Sequence, residues 1–134
     1  MIPVNTTSSS TIHEEFFKAA KRYAEQVAFK AHGGKGRSYS YSEVVELVNH
    51  FAAGLHTEGF MKPNEVGLLS ENCPEWCITY LSILAAGGTV VPIDTRLKLD
   101  EIYHIIRHAK LKTIIVSAAL EQIISDFGNQ LRII

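Results

Sequence analysis

The chain has 134 residues, of which 46% are hydrophobic and 20% are charged, and its formal net charge is −1. These values fit one ordinary globular domain, and they exclude a strongly basic nucleic-acid-binding protein and an acidic solvating tail. The polar segment 1–11 lacks the basic and apolar parts of a secretory signal, and the most apolar segment, 78–93, is too short to span a bilayer. We expect a flexible lead-in over 1–11, a cytoplasmic location, and neither a nucleic-acid partner nor a transmembrane segment.

The first part of the chain predicts a helix followed by a β-hairpin. Apolar residues at helical spacing mark the helix: Ile12, Phe16, Ala19 and Tyr23. Two strand-like runs, 27–31 and 37–41, then flank the glycine-rich segment 33–36 (GGKG). A phosphate-binding loop would need these glycines between a strand and a helix. We therefore interpret the segment as the mobile tip of a hairpin.

A second helix follows the hairpin. Ser40 and Glu43 have the spacing of a capping box, and Gly59 is suited to the end of the helix. The helix itself is indicated by an apolar stripe at intervals of three and four residues: Val44, Val48, Phe51 and Leu55.

Short apolar runs alternate with amphipathic helices in the rest of the chain. The helices begin near Pro74, Leu99 and Leu120, and the runs between them predict strands at 66–69, 89–93, 113–116 and 131–134. This alternation implies right-handed crossovers and a parallel sheet. The predicted class is α/β, with an N-terminal β-hairpin and helices followed by a β-α-β-α-β-α-β unit. We expect residues 12–134 to be a truncated part of a larger domain, ending inside the last strand.

Two pairs of side chains have the spacing of metal ligands. His104 and His108 are four residues apart, but no third ligand is evident and Arg107 would repel a cation, so a solvated helix face is favoured. Cys73 and Cys77 have the same spacing and form at most half of a metal site. We expect partly buried reduced thiols and no metal site, with a thiol redox or metal protein as the alternative.

The loops that follow the predicted parallel strands are candidate binding segments, because ligands bind at the carboxyl ends of such strands. The loop 70–75 has no glycine and carries two carboxylates that would oppose a phosphate, so Asn72 is expected to act only as a helix cap. In the loop 94–101, Arg96 and Lys98 could meet an anion. Surface charges beside a helix cap are an equally good interpretation.

Three segments, taken in their order and spacing, resemble adenylate-forming (AMP-binding) enzymes. They are 39–44 (YSYSEV), 66–76 (VGLLSENCPEW) and 83–97 (ILAAGGTVVPIDTRL). They are similar to the family's early helix start, its Asn-x-Pro-Glu-Trp turn, and its segment ending in Val-Pro-Leu-Asn-Pro-Arg. The resemblance covers nearly all of residues 12–134 and is strongest to acyl-CoA synthetases of the long-chain fatty acid–CoA ligase type.

The resemblance implies the N-terminal subdomain of an enzyme that activates a carboxylate with ATP as an acyl-adenylate and transfers it to CoA. The full-length parent would use ATP, Mg²⁺, CoA and a fatty acid or other carboxylate. Thr95 and Arg96 would lie on the CoA side. The family's phosphate loop, ribose-binding acidic residue and catalytic lysine do not occur in these 134 residues. We therefore assign the chain no catalytic residue and no cofactor of its own, and we expect it to be inactive alone.

The expected partner of the chain is the remainder of its own polypeptide. An unpaired sheet edge also predicts that the isolated chain forms a homodimer. Two alternatives stay open. One is a stand-alone, non-catalytic α/β module that binds a partner or a nucleotide. The other is an adenylation fragment of the aryl-acid or peptide-synthetase type.

Overall fold

The computed structural model describes residues 10–34, 36–59 and 64–134. Residues 1–9 of the predicted lead-in over 1–11 and the lysine of the hairpin tip lie outside the described residues. The helices are α1 (Ile12–Arg22), α2 (Tyr41–Thr57), α3 (Pro74–Ala85), α4 (Leu99–His108) and α5 (Glu121–Ile124). The strands are β1 (Val27–Lys30), β2 (Ser38–Ser40), β3 (Glu65–Leu69), β4 (Thr89–Pro92), β5 (Thr113–Val116) and β6 (Arg132–Ile133).

The strands form two separate sheets. β1 and β2 pair antiparallel around a 3₁₀ turn at His32–Gly34, which confirms the predicted hairpin. The other four strands form a parallel sheet in the order β4-β3-β5-β6. In this sheet Val66 of β3 lies beside Val90 of β4 and Thr113 of β5. The α/β class with its parallel unit is therefore confirmed.

Helix α2 begins with the predicted capping box. The Glu43 N–H donates to the Ser40 hydroxyl at 3.2 Å, and the Ser40 N–H donates to the Glu43 carboxylate at 2.8 Å. The Arg37 guanidinium donates to the same carboxylate at 2.8 Å. The two capping bonds satisfy N–H groups that a helix start otherwise leaves unpaired. Together with the Arg37 bond, they hold the start of α2 against the end of the hairpin.

The predicted cap of α3 is wrong. Cys73, and not Asn72, is the N-cap, and no side chain caps this helix. Cys73 has φ −149° and ψ 166°, which is extended backbone. The cause is Pro74, whose ring suits the first helical position and disfavours the helical conformation in the preceding residue, so Cys73 takes the N-cap position.

The helix predicted after Leu120 is shorter than its apolar pattern suggests. α5 has four residues and continues as a 3₁₀ segment, Ser125–Gln130. The Ser125 hydroxyl donates to the Gln122 carbonyl oxygen at 2.8 Å, in competition with the regular helical pattern. Asp126 has a low helix propensity and further disfavours a regular α-helix here. The helix therefore ends in the tighter 3₁₀ form.

Helices cover both faces of the parallel sheet. On one face, residues of α2 and α3 bury a core with alternate strand residues: Ala52, Leu55, Val66, Leu68, Ile83, Ala86 and Ile115. On the other face, α4 and α5 bury a second core: Leu69, Ile93, Ile102, Ile106, Leu111, Ile114, Ile124 and Leu131. The division follows the two-residue period of a strand. Within the described ranges, no helix has the length and apolar character needed to cross a membrane.

A side-chain hydrogen bond anchors the hairpin on α3. Tyr39 is 7% exposed, and its hydroxyl donates to the Glu75 carboxylate at 2.7 Å. This bond is the main cause that lowers the pKa of Glu75 and raises the pKa of Tyr39.

We predict that Tyr39→Phe lowers the free energy of unfolding by about 1–2 kcal/mol, because a hydrogen bond to a charged group is lost. Urea denaturation followed by circular dichroism measures it. The loss should shrink as the pH falls and Glu75 is protonated, since a lowered pKa stabilises the fold only while the carboxyl is ionised. Tyr41→Phe is the control, because the Tyr41 hydroxyl has no hydrogen-bond partner among the described residues. Equal effects of the two substitutions would contradict the assignment.

Candidate functional site

The carboxyl ends of β3 and β4 open into a cavity of about 560 Å³. Ligands of open parallel sheets bind at this edge, because the loops after the strands converge there. The lining comes from the two strand-to-helix loops and the first turn of α3: Ser70, Glu71, Asn72, Trp76, Pro92, Ile93, Asp94, Thr95 and Arg96. The structure therefore brings together the two loops that the sequence singled out.

Backbone hydrogen bonds hold the ends of β3, β4 and β5 together at this edge of the sheet. The Ile93 N–H donates to the Leu68 carbonyl oxygen at 2.9 Å, and the Ser117 N–H donates to the Leu69 carbonyl oxygen at 3.1 Å. Both bonds extend the parallel ladders of β3 by one step beyond its partner strands. The loops thus leave the sheet from fixed positions.

An ion pair dominates one wall of the cavity. The Arg96 Nη2 donates to Asp94 Oδ2 at 2.7 Å, its Nε donates to Oδ1 at 3.1 Å, and the Arg96 backbone N–H donates to Oδ1 at 2.9 Å. The Arg96 side chain lowers the pKa of Asp94 to about 2, with help from the backbone N–H. The carboxylate in turn raises the pKa of Arg96. The Arg96 side chain is 87% exposed, so its guanidinium is held by Asp94 yet accessible to a ligand.

The loop after β3 contributes an acidic side chain, Glu71, to the same cavity. The Ser70 hydroxyl donates to the Glu71 carbonyl oxygen at 3.3 Å, and the pKa of Glu71 is lowered, first by its own backbone N–H. A carboxylate beside the start of α3 opposes a phosphate there, as the sequence indicated. An anionic ligand is therefore better placed toward Arg96 than toward the α3 start.

The sequence predicted that Arg96 and Lys98 could both contact an anion, but the structure gives the two residues different positions. Thr95 and Arg96 line the cavity, whereas Lys98 does not. The Lys98 N–H donates to the Glu101 carboxylate at 2.8 Å, which caps α4. Sequence reasoning missed the pairing of Asp94 with Arg96. An Asp followed two residues later by Arg in a tight loop was the signal for it, because Asp side chains bond backbone N–H groups two residues on.

Other candidates do not join this site. His104 and His108 stack on the exposed face of α4, with ring centroids 5.8 Å apart. In the part of the chain that the structure describes, no group of three or more His, Cys, Asp and Glu side chains is arranged to hold a metal ion. The glycines of the hairpin tip lie between two strands and do not precede a helix.

Comparison with known proteins gives a consistent family. The sequence model described as AMP-binding enzyme matches residues 16–133. Tyrocidine synthase 1 of Brevibacillus parabrevis is 30% identical over 118 residues, which are 88% of this chain and 11% of that protein. Crotonobetaine/carnitine–CoA ligase of Proteus mirabilis is 34% identical over 89 residues, which are 66% of this chain and 17% of that protein. The chain therefore spans less than a fifth of the length of these curated relatives.

A solved structure gives the same fold. The N-terminal subdomain of Klebsiella oxytoca NpsA, in complex with 3-hydroxybenzoyl-AMSN, superposes with a TM-score of 0.79 at 20% identity. The superposition covers 94% of this chain and 30% of that one. The hairpin and the parallel sheet thus match the N-terminal subdomain of an adenylation enzyme.

Proposed function

The chain belongs to the family of AMP-binding enzymes, and from this we propose that it supplies the N-terminal part of an acid–thiol ligase. The complete enzyme would activate a carboxylate with ATP as an acyl-adenylate and transfer the acyl group to CoA. The observation that carries the proposal is the family match over residues 16–133, which includes the parallel sheet and both loops of the cavity.

The role proposed for this chain is to receive the thiol substrate. CoA carries several phosphate groups, and a guanidinium binds phosphate oxygens through paired N–H donors. Arg96 presents such donors at the cavity, Asp94 orients it, and Thr95 adds a hydroxyl beside it. The described residues do not fit a Mg²⁺ site. The Asp94 carboxylate is paired with Arg96, and among these residues no group of three or more acidic, imidazole or thiol side chains surrounds it. The chemistry of ATP is therefore assigned to other parts of the complete enzyme.

A variant of Arg96 tests this role in the complete enzyme. We predict that Arg96→Ala raises the KM for CoA about tenfold, which corresponds to the loss of one charge-assisted hydrogen bond of about 1.4 kcal/mol. The KM for ATP should not change comparably. Steady-state measurement of thioester formation checks both values.

Lys98→Ala is the matched control, because it removes a neighbouring cation that does not line the cavity. Its KM for CoA should stay within about twofold of the unsubstituted enzyme, the range expected of a surface charge. Equal KM values for CoA in Arg96→Ala and the unsubstituted enzyme would contradict the proposed role.

We further propose a long-chain fatty acid as the carboxylate, on the strength of the sequence resemblance. A panel of fatty, aryl and amino acids, with thioester formation as the readout, tests it. Fatty acids should be the preferred substrates. Turnover confined to aryl or amino acids would reject this part of the proposal.

An adenylation domain of the peptide-synthetase type is the second candidate. It is favoured by the 30% identity to tyrocidine synthase 1 across 88% of the chain. Such a domain would pass its acyl group to a thiol carried on a protein and not to free CoA. Adenylation of an amino acid without formation of a CoA thioester would identify it.

A further inference from the structure

The carboxyl-edge cavity combines an apolar surface with polar groups. Six of its nine described lining residues are polar, and the other three are Trp76, Pro92 and Ile93. Ile93 is buried, so Trp76 and Pro92 offer most of the apolar surface that a ligand can contact. The volume of about 560 Å³ falls within the range of small-ligand and cofactor sites. A ligand that fills the cavity therefore needs an apolar part as well as polar groups.

Trp76 is held by packing on one side of its ring. The indole stacks on Tyr80, one turn further along α3, with ring centroids 5.3 Å apart and an interplanar angle of 27°. Both rings also pack against the core that α2 and α3 close over the sheet. Tyr80 does not line the carboxyl-edge cavity, so the cavity meets the part of the indole that Tyr80 leaves uncovered. Trp76 is thus fixed in place and still available to a ligand.

The charge beside Trp76 narrows the class of ligand. Arg96 lines the same cavity, and its guanidinium N–H donors suit phosphate oxygens. A ligand that contacts both residues carries an anionic group and a flat group with an apolar face. An adenine nucleotide has both, because aromatic side chains stack on the π-face of a base and the phosphates supply the charge. A fatty acyl chain has no flat group to match the indole.

We propose that Trp76 stacks on the adenine base of CoA while Arg96 binds one of the CoA phosphates. This inference rests on the CoA role proposed above for Arg96. It adds a residue that determines thiol specificity, because Trp76 contacts the nucleotide end of free CoA. A phosphopantetheine thiol carried on a protein has no adenine, so Trp76 favours free CoA over a carrier-bound thiol.

Two thiol substrates test this role in the complete enzyme. CoA and 4′-phosphopantetheine carry the same thiol arm, but only CoA carries adenine. We expect Trp76→Leu to raise the KM for CoA about tenfold, within the range for losing one aromatic stack on a base. The KM for phosphopantetheine should not change comparably, which also shows that the variant is folded. Trp76→Phe keeps a stacking ring and should recover most of the loss.

ATP also contains adenine, so the KM for ATP is measured on the same variants and should not change comparably. The inference alone is overturned if Arg96→Ala raises the KM for CoA but Trp76→Leu does not. It is also overturned if Trp76→Leu raises the KM for both thiols alike, or that for ATP in place of CoA. If the unsubstituted enzyme forms no CoA thioester, the proposed function itself fails, and this inference fails with it.

Discussion

Leu68→Ala is expected to lower the free energy of unfolding by about 2–5 kcal/mol, the range for removing a buried leucine side chain. Leu68 is 1% exposed and lies in β3, with β4 on one side and β5 on the other. It packs in the core that α2 and α3 close over the sheet. The substitution leaves a cavity in the centre of this core, because the surrounding backbone is fixed by ladders on both sides. Urea denaturation of the 134-residue chain measures the change.

Leu47→Ala is the matched control for this prediction. Leu47 lies on α2 and is 38% exposed, so the same atoms are removed from a site that remains in contact with water. Leu47→Ala should lower the free energy of unfolding by less than about 1 kcal/mol, because little apolar area is lost from the core. If the two substitutions lower the free energy of unfolding equally, Leu68 is not buried in the core between β3 and the two helices.

Gly67→Ala is expected to destabilise the fold by about 1–3 kcal/mol through overpacking. A Cβ at Gly67 would lie 2.9 Å from Ile114 Cγ1 and 2.9 Å from Leu111 Cδ1. Both neighbours are buried, so neither side chain can move into solvent. The glycine thus permits the close approach of β3 to the second core. A shift of the urea midpoint with an unchanged slope is the expected result.

Gly54→Ala separates this packing effect from the general effect of replacing glycine. Gly54 lies in α2, and a Cβ there has no heavy atom within 4 Å. We expect a stabilisation of about 0.4–1 kcal/mol, because alanine favours the helix and restricts the unfolded chain. Destabilisation by both substitutions, or by neither, would contradict the packing at Gly67.

Local patterns were sufficient to predict most of the fold. The alternation of short apolar runs with helical stripes predicted every strand of the parallel sheet, because strands covered on both faces are apolar throughout. The pairing of Ser40 with Glu43 located the start of α2 correctly. In these cases the determining interactions lie within a few residues along the chain.

The errors arose where neighbouring residues compete. Asn72 is a good cap by residue type, but the helix begins at Pro74, as predicted, so the N-cap position falls on Cys73, which Pro74 holds in extended backbone. The apolar stripe after Leu120 predicted a regular helix, whereas Ser125 bonds back to the backbone and converts it to a 3₁₀ segment.

Only part of the candidate site was predictable. The sheet topology placed the loops after β3 and β4 at one edge, so a cavity there followed from the sequence. The engagement of Arg96 by Asp94 did not follow, because it depends on the conformation of a three-residue turn. Thr95 and Arg96 remain predicted contacts of CoA.

This chain is the N-terminal part of an adenylate-forming enzyme, and we propose that it needs the remainder of that enzyme for chemistry. Carboxylate-dependent exchange of pyrophosphate with ATP tests it most directly, measured side by side on the complete protein and on the 134-residue chain. We predict exchange by the complete protein with at least one carboxylate and none by the chain alone. Exchange catalysed by the isolated chain, or no exchange by the complete protein with fatty, aryl or amino acids, would contradict the claim.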